Sequence, residues 1–181
     1  MRSMAHLMGF ILHMVSDAGS CLPGACERHQ LGGYRLHGDE TRFLELLRHG
    51  ANPNTRDGLD SCTALHSAAR KGYPEVAQKL LQHNADLNIQ DSDGEIPLHM
   101  VLRDGNTNVA RLLLEQGVDV NSRSKDGSVP LYLASKDGWP KVVRLLTEHG
   151  ADIGAGGNEG ITSLQVARSD IVELLSDYGP K

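Results

Sequence analysis

Apolar and polar positions recur in blocks along this chain, and the longer blocks carry the rhythm of an amphipathic helix. Val76, Leu80 and Leu81 mark one such face. Val109, Leu112, Leu113 and Leu114 mark a second, and Val142, Val143, Leu145 and Leu146 a third. Ahead of each stands a shorter apolar block built on Leu65, Leu98 or Leu131. Gly72, Gly105 and Gly138 close the shorter blocks, as residues free to take a positive φ close helices. Pro97 and Pro130 sit where a first helix would begin, and Pro74 and Pro140 where a second would, since the first helical position needs no N–H. The predicted unit is therefore a pair of helices. Gly117 and Gly150 end the second helix, and Asp91-Ser92-Asp93-Gly94 and Lys125-Asp126-Gly127 supply hairpin turns to the next unit.

The spacing is regular. Leu65-His66, Leu98-His99, Leu131-Tyr132 and Leu164-Gln165 follow one another at intervals of 33 residues. A second marker keeps step: His49-Gly50-Ala51, His83-Asn84-Ala85, Gln116-Gly117-Val118 and His149-Gly150-Ala151, at intervals of 34, 33 and 33. Two markers in one register over four units are the signature of a repeat architecture, in which no unit buries its apolar face alone and stacking makes the core. The small residues Ala68, Ala69 and Ala134 let neighbouring helices approach closely.

The units resemble ankyrin repeats in Thr63-Ala64-Leu65-His66-Ser67-Ala68-Ala69, Ile96-Pro97-Leu98-His99 and Val129-Pro130-Leu131-Tyr132-Leu133-Ala134. The closing segments match as well: Ala51-Asn52-Pro53-Asn54, Ala85-Asp86-Leu87-Asn88, Val118-Asp119-Val120-Asn121 and Ala151-Asp152-Ile153. The resemblance implies an all-α ankyrin-repeat solenoid of stacked helix-turn-helix units joined by β-hairpin or turn connections. Its expected extent is residues 34–179, after an irregular or partly helical extension over 1–33. Within it a partial repeat (34–57) precedes full repeats over 58–90, 91–123 and 124–156, and a shortened C-terminal cap spans 157–179.

The terminal units depart from the pattern. Gly38 to Gly50 reads as a second helix, but Leu31-Gly32-Gly33-Tyr34-Arg35-Leu36 is a weak first one, with a short helix expected near 34–37. One extra residue within Thr55 to Ser61 predicts a longer first loop. In the last unit Leu164 to Gly179 spans 15 residues where Leu98 to Gly117 spans 19. One continuous helix is compatible with Leu164, Ala167, Ile171, Leu174 and Leu175. The reading favoured here is two helices, the second capped by Ser169 or Asp170.

Composition adds constraints rather than a mechanism. The chain has 181 residues, 39% hydrophobic, with two Phe, four Tyr and one Trp, so the core must be aliphatic. A net charge of −5 argues against nucleic acid, which calls for a basic face. Three cysteines (Cys21, Cys26, Cys62) without metal-ligand spacing read as reduced thiols in an intracellular protein, cytoplasmic or nuclear. Leu7 to Val15 is apolar but is interrupted by His13 and is too short to span a bilayer. Of nine histidines, His66 and His99 occupy the repeat's Leu-His position, while His49, His83 and His149 stand at helix C-termini, where the dipole favours a cation. No P-loop, dinucleotide glycine signature or activated nucleophile is present, so no catalytic, cofactor-binding or metal residues are assigned. Gly154-Ala155-Gly156-Gly157 reads as a flexible finger.

The resemblance implies partner binding through the concave face. The finger positions there are Leu59, Asp60, Cys62, Ser92, Asp93, Glu95, Lys125, Asp126, Ser128, Asn158, Glu159 and Ile161. The helix positions are Arg70, Lys71, Arg103, Asp104, Lys136 and Asp137. Arg70, Arg103 and Lys136 lie 33 apart and should stack as a basic column flanked by acidic fingers, facing carboxylates on a partner or else held in internal salt bridges. Trp139, Tyr73 and Asn106 share one position beside the helix turn; of Trp139, packing on the adjacent turn is expected before partner anchoring. The expected function is a monomeric module that binds a protein, without nucleic acid, membrane or enzymatic activity. The forms considered are a stand-alone inhibitor of a kinase or transcription factor and a C-terminal fragment of a larger scaffold or sensor. The repeats also look like the arrays of fungal multidomain proteins.

Overall fold

The computed structural model describes residues 47–49, 51–56, 60–157 and 160–178. Among these, eight helices form in pairs: α1 (Ala64–Lys71) with α2 (Pro74–Gln82), α3 (Pro97–Asp104) with α4 (Thr107–Glu115), α5 (Pro130–Asp137) with α6 (Pro140–Glu148), and α7 (Ser163–Val166) with α8 (Ser169–Tyr178). The first helices stack as α1–α3–α5–α7 and the second as α2–α4–α6–α8, giving two layers of a solenoid. No strands form among the described residues. The connections are turns, with one isolated β-bridge between Gly156 and Thr162.

The sequence signals produce these elements directly. Pro97, Pro130, Pro74 and Pro140 each open a helix. Gly105, the C-cap of α3, has φ +64, and a Cβ there would lie 2.5 Å from the Trp139 ring, so glycine is required for both conformation and space. After α2 the left-handed position falls to Asn84 (φ 63), a residue that tolerates it, where later units use Gly117 and Gly150. In the fingers the left-handed position is held by Gly94, Gly127 and Gly160, but in the first by Ser61, at φ 55.

The core is aliphatic, as composition requires. Leu65, Leu98, Leu80, Leu113 and Leu146 are fully enclosed, with Ala68, Ala69, Ala77, Ala110 and Ala134 at the close approaches between helices. Leu47 and Ala51 join this core and carry it into the first unit. The helices expected over 34–37 and 38–50 otherwise lie outside the described residues, as do 1–33 and 57–59 of the first loop.

The last unit is two helices, as favoured from the sequence. The break is at Ala167, whose ψ of 144 is extended. Its capping differs from expectation. Ser169 is already inside α8, and the Arg168 carbonyl accepts from Ile171 and Val172 (2.9 Å each). The N-cap position thus falls one residue earlier, because Ala167 leaves the helical region just before it. Thr162 and Gln165 form a capping box on α7, with the Thr162 N–H donating to Gln165 Oε1 at 2.8 Å.

A candidate protein-interaction surface

Polar side chains divide into those that stitch one unit to the next and those left over. Asn54 Oδ1 accepts from the Asp86 N–H (2.8 Å), Asn88 Oδ1 from Asp119 (2.9 Å), and Asn121 Oδ1 from Asp152 (2.9 Å). A parallel row runs from Arg56 to the Gln90 carbonyl, from Gln90 to Arg123, and from Arg123 to Gly156. Both rows keep the repeat interval, so each residue type is explained by its register.

Of the histidines, His66 joins the stitching, while His83, His99 and His149 bond within their own unit. His66 Nδ1 accepts from the Thr63 N–H (3.1 Å) and Nε2 faces the Glu95 carbonyl of the next unit at 3.1 Å. An Nδ1 that accepts leaves the proton on Nε2, so the ring is neutral with that nitrogen donating. Burial lowers the pKa of His66 and of His99, against the pull of neighbouring carbonyls and carboxylates. His99 Nδ1 likewise accepts from Ile96, but its Nε2 faces the Ser128 carbonyl without completing a hydrogen bond. His83 and His149 take the opposite tautomer, with Nδ1–H donating to the Lys79 and Leu145 carbonyls at the ends of α2 and α6. Among the described residues no three His, Cys, Asp or Glu side chains are gathered to hold a metal ion.

The two middle fingers are each braced by an acidic side chain. Asp91 Oδ1 accepts from the Asp93 and Glu95 N–H groups, both at 2.9 Å. In the next finger Ser124 replaces Asp91, and Asp126 accepts from the Ser124 hydroxyl and the Ser128 N–H instead. Those bonds, that of the Ser124 hydroxyl first, hold the Asp126 pKa below the usual carboxylate value. Successive fingers are joined by the Ser92 N–H to the Asp60 carbonyl and the Lys125 N–H to the Asp93 carbonyl, each 2.8 Å.

Set on this frame, the surface residues read from the sequence separate. Asp60, Asp93, Lys125 and Asp126 on the fingers are exposed, as are Arg103, Asp104, Lys136 and Asp137 on the helices; Arg70, Lys71, Ser92, Glu95 and Ile161 are half-buried. Cys62 and Ser128 are corrections. At 4% and 5% exposure they face inward, Cys62 Sγ lying 3.9 Å from Asp91 Oδ2, because their finger position turns beneath the acidic tip. Leu59, Asn158 and Glu159 lie outside the described residues. The basic column is interrupted at its middle: Arg103 donates to Glu95 at 2.9 Å, while Arg70 and Lys136 form no ion pair with another described residue. Asn106 and Trp139 pack on the turn of the preceding unit. Asn106 Nδ2 donates to the Ala69 and Arg70 carbonyls (3.3 Å each), and Trp139 Nε1 to the Leu102 carbonyl (2.9 Å). Those bonds between units were not readable from spacing; the only signal was three polar-tipped residues at one register position.

Known proteins show the same repeat. The phosphate system positive regulatory protein PHO81 of Saccharomyces cerevisiae is 39% identical over 71 residues, covering 39% of this chain and 6% of the yeast protein. Human ankyrin repeat and SOCS box protein 6 is 46% identical over 46 residues, covering 25% of this chain and 11% of that protein. Human protein phosphatase 1 regulatory subunit 12B is 44% identical over 50 residues, or 28% and 5% of the two chains. The chain therefore spans only a small part of the length of these relatives. A family model described as ankyrin repeats (3 copies) matches residues 35–124 and 116–181. With the paired helices, the glycine-closed turns and the stitched fingers, that match establishes that the chain belongs to the ankyrin-repeat family, whose arrays are protein-interaction modules.

Proposed function

We propose that this array binds a protein partner through the concave face, with the finger tips and the ends of the first helices as the contact residues. One observation carries the reading. Buried and hydrogen-bonded positions account for the fold, while the side chains of Asp93, Asp126, Arg70, Lys136, Asp104 and Asp137 form no hydrogen bond or ion pair between units among the described residues. Asp126 is half an exception, since it also braces its own finger. Side chains in register that the fold does not use are free to be selected for recognition. The reading has no catalytic role for the array. It places the protein in the cytoplasm or nucleus.

The chain acting as one segment of a larger scaffold is supported by its relatives, of which it covers 11% or less. Affinity capture with quantitative identification tests the surface. Arg70→Glu, Arg103→Glu and Lys136→Glu together should deplete a specific partner about tenfold or more, whereas Lys141→Glu with Arg144→Glu on the outer layer should not. Equal capture by both variants would sink the assignment of this face.

A further inference from the structure

The far end of the stack differs in kind from its interior. Leu65, Leu98 and Leu131 are covered by the following unit to 1% exposure or less, yet Leu164, at the same register position, is 41% exposed. Ala167 and Val172 follow suit. Their counterparts Ala134 and Val143 are fully enclosed, while they themselves are only half-buried. Successive helical residues turn about 100°, so on α8 the buried pair Ile171 and Leu175 is flanked by Val172, with Ser169 and Ser176 beside it. Beyond those small residues runs a stripe of Asp170, Glu173 and Asp177, all exposed.

Charge reverses on this helix. Positions filled by Lys141 and Arg144 on α6 are filled by Asp170 and Glu173 on α8, and α8 contains no lysine or arginine. None of the three acids forms an ion pair with a described residue. Asp177 sits in the last turn, where the helix dipole disfavours an anion and that turn itself holds no basic residue. An apolar step edged by acids that pair with no described residue, Asp177 among them at the dipole's negative end, favours a cation beside it.

We propose that this end face docks an amphipathic helix from a partner, its apolar side on Leu164, Ala167 and Val172 and its lysines or arginines along Asp170, Glu173 and Asp177. Two other occupants fit less well. A second copy of the chain meeting this face with the same face would set acid against acid. A further ankyrin unit would lack its stitches, because Gly154 and Gly156 stand where Asn121 and Arg123 reach across to the next unit.

The probe is a labelled helical peptide of about 18 residues, five turns long, with leucine on one side and lysine on its flanks. The comparison peptide carries glutamate in place of lysine. By fluorescence anisotropy the lysine peptide should bind the full chain at least about tenfold tighter than the glutamate peptide. Leu164→Glu should abolish most of that binding, and thermal melts should show that this exposed site does not unfold the protein. The charge-swapped variant Asp170→Lys, Glu173→Lys, Asp177→Lys should reverse the preference and accept the glutamate peptide. The concave variant Arg70→Glu, Arg103→Glu, Lys136→Glu should bind the lysine peptide unchanged, which separates this face from the one proposed above. Equal binding of both peptides, or a preference indifferent to Leu164 and to the charge swap, would overturn the proposal. So would a Leu164-dependent dimer by sedimentation, which would assign the face to a second copy.

Discussion

Leu98 and Leu164 stand at the same place in the repeat, one enclosed between α1 and α5, the other open at the end of the stack. Around Leu98 the side chains are set by stitching: His66 reaches the Glu95 carbonyl of the next unit, Trp139 binds the Leu102 carbonyl, and Asn88 spans to Asp119. Around Leu164 the same register holds Gln165 folded back on its own N-cap and glycines where the connecting side chains stood. The difference shows that a repeat position has no fixed burial of its own. A neighbour confers it, so stability in such an array is a sum of interfaces as much as of units.

Truncating the two leucines tests this most directly. Leu98→Ala should cost about 3 kcal/mol by denaturant unfolding, as cavity-forming core changes do. Leu164→Ala should cost under about 0.5 kcal/mol. Similar losses at both sites would mean that Leu164 is covered in solution.

A glycine pair gives the next contrast. Gly105→Ala drives a Cβ to 2.5 Å from the Trp139 ring at a positive φ and should cost about 2 to 3 kcal/mol. Gly160→Ala shares the positive φ but meets open space, so only the backbone cost of about 1 kcal/mol is expected. Thermal melts of the two variants would separate strain from collision.

The reverse change is available in the first finger. Ser61→Gly removes a left-handed serine at the position where later fingers carry glycine, and should raise stability by about 1 kcal/mol or slightly less. No gain in the denaturation midpoint would show that the first loop has already absorbed the strain.

The smallest effect is a pH dependence carried by the interior alone. Burial depresses the pKa of His66 and His99 in the folded state. The unfolded chain therefore takes up protons first as pH falls below the ordinary value of 6.5, and stability is lost there; above it the two rings contribute no slope. Substituting both with Gln should flatten the decline in unfolding free energy between about pH 6.5 and pH 5. An unchanged slope would assign the acid sensitivity to other groups.

The fold was legible because ankyrin architecture is written locally. Prolines at first helical positions, glycines at left-handed turns and leucines at one spacing each act within a few residues of themselves. The candidate surface was legible only in part. Arg70, Arg103 and Lys136 do share a register, yet Glu95 takes Arg103 out of the column at 2.9 Å, and no spacing rule distinguishes that pairing from a solvated side chain. Cys62 and Ser128 have polar or reactive side chains in a finger, but the turn beneath Asp91 and Asp126 carries them inward.

The sequence by itself determined the period, the helix pairs and the aliphatic core, since these follow from local conformational preference and apolar spacing; for the last unit it left one helix or two open. Tertiary structure alone decided where Trp139 anchors, which cation of the column is paired, and that Leu164 is exposed. Those outcomes depend on what lies across the gap between two units, and contacts between residues some 30 positions apart depend on how the units stack, which no single unit's sequence records.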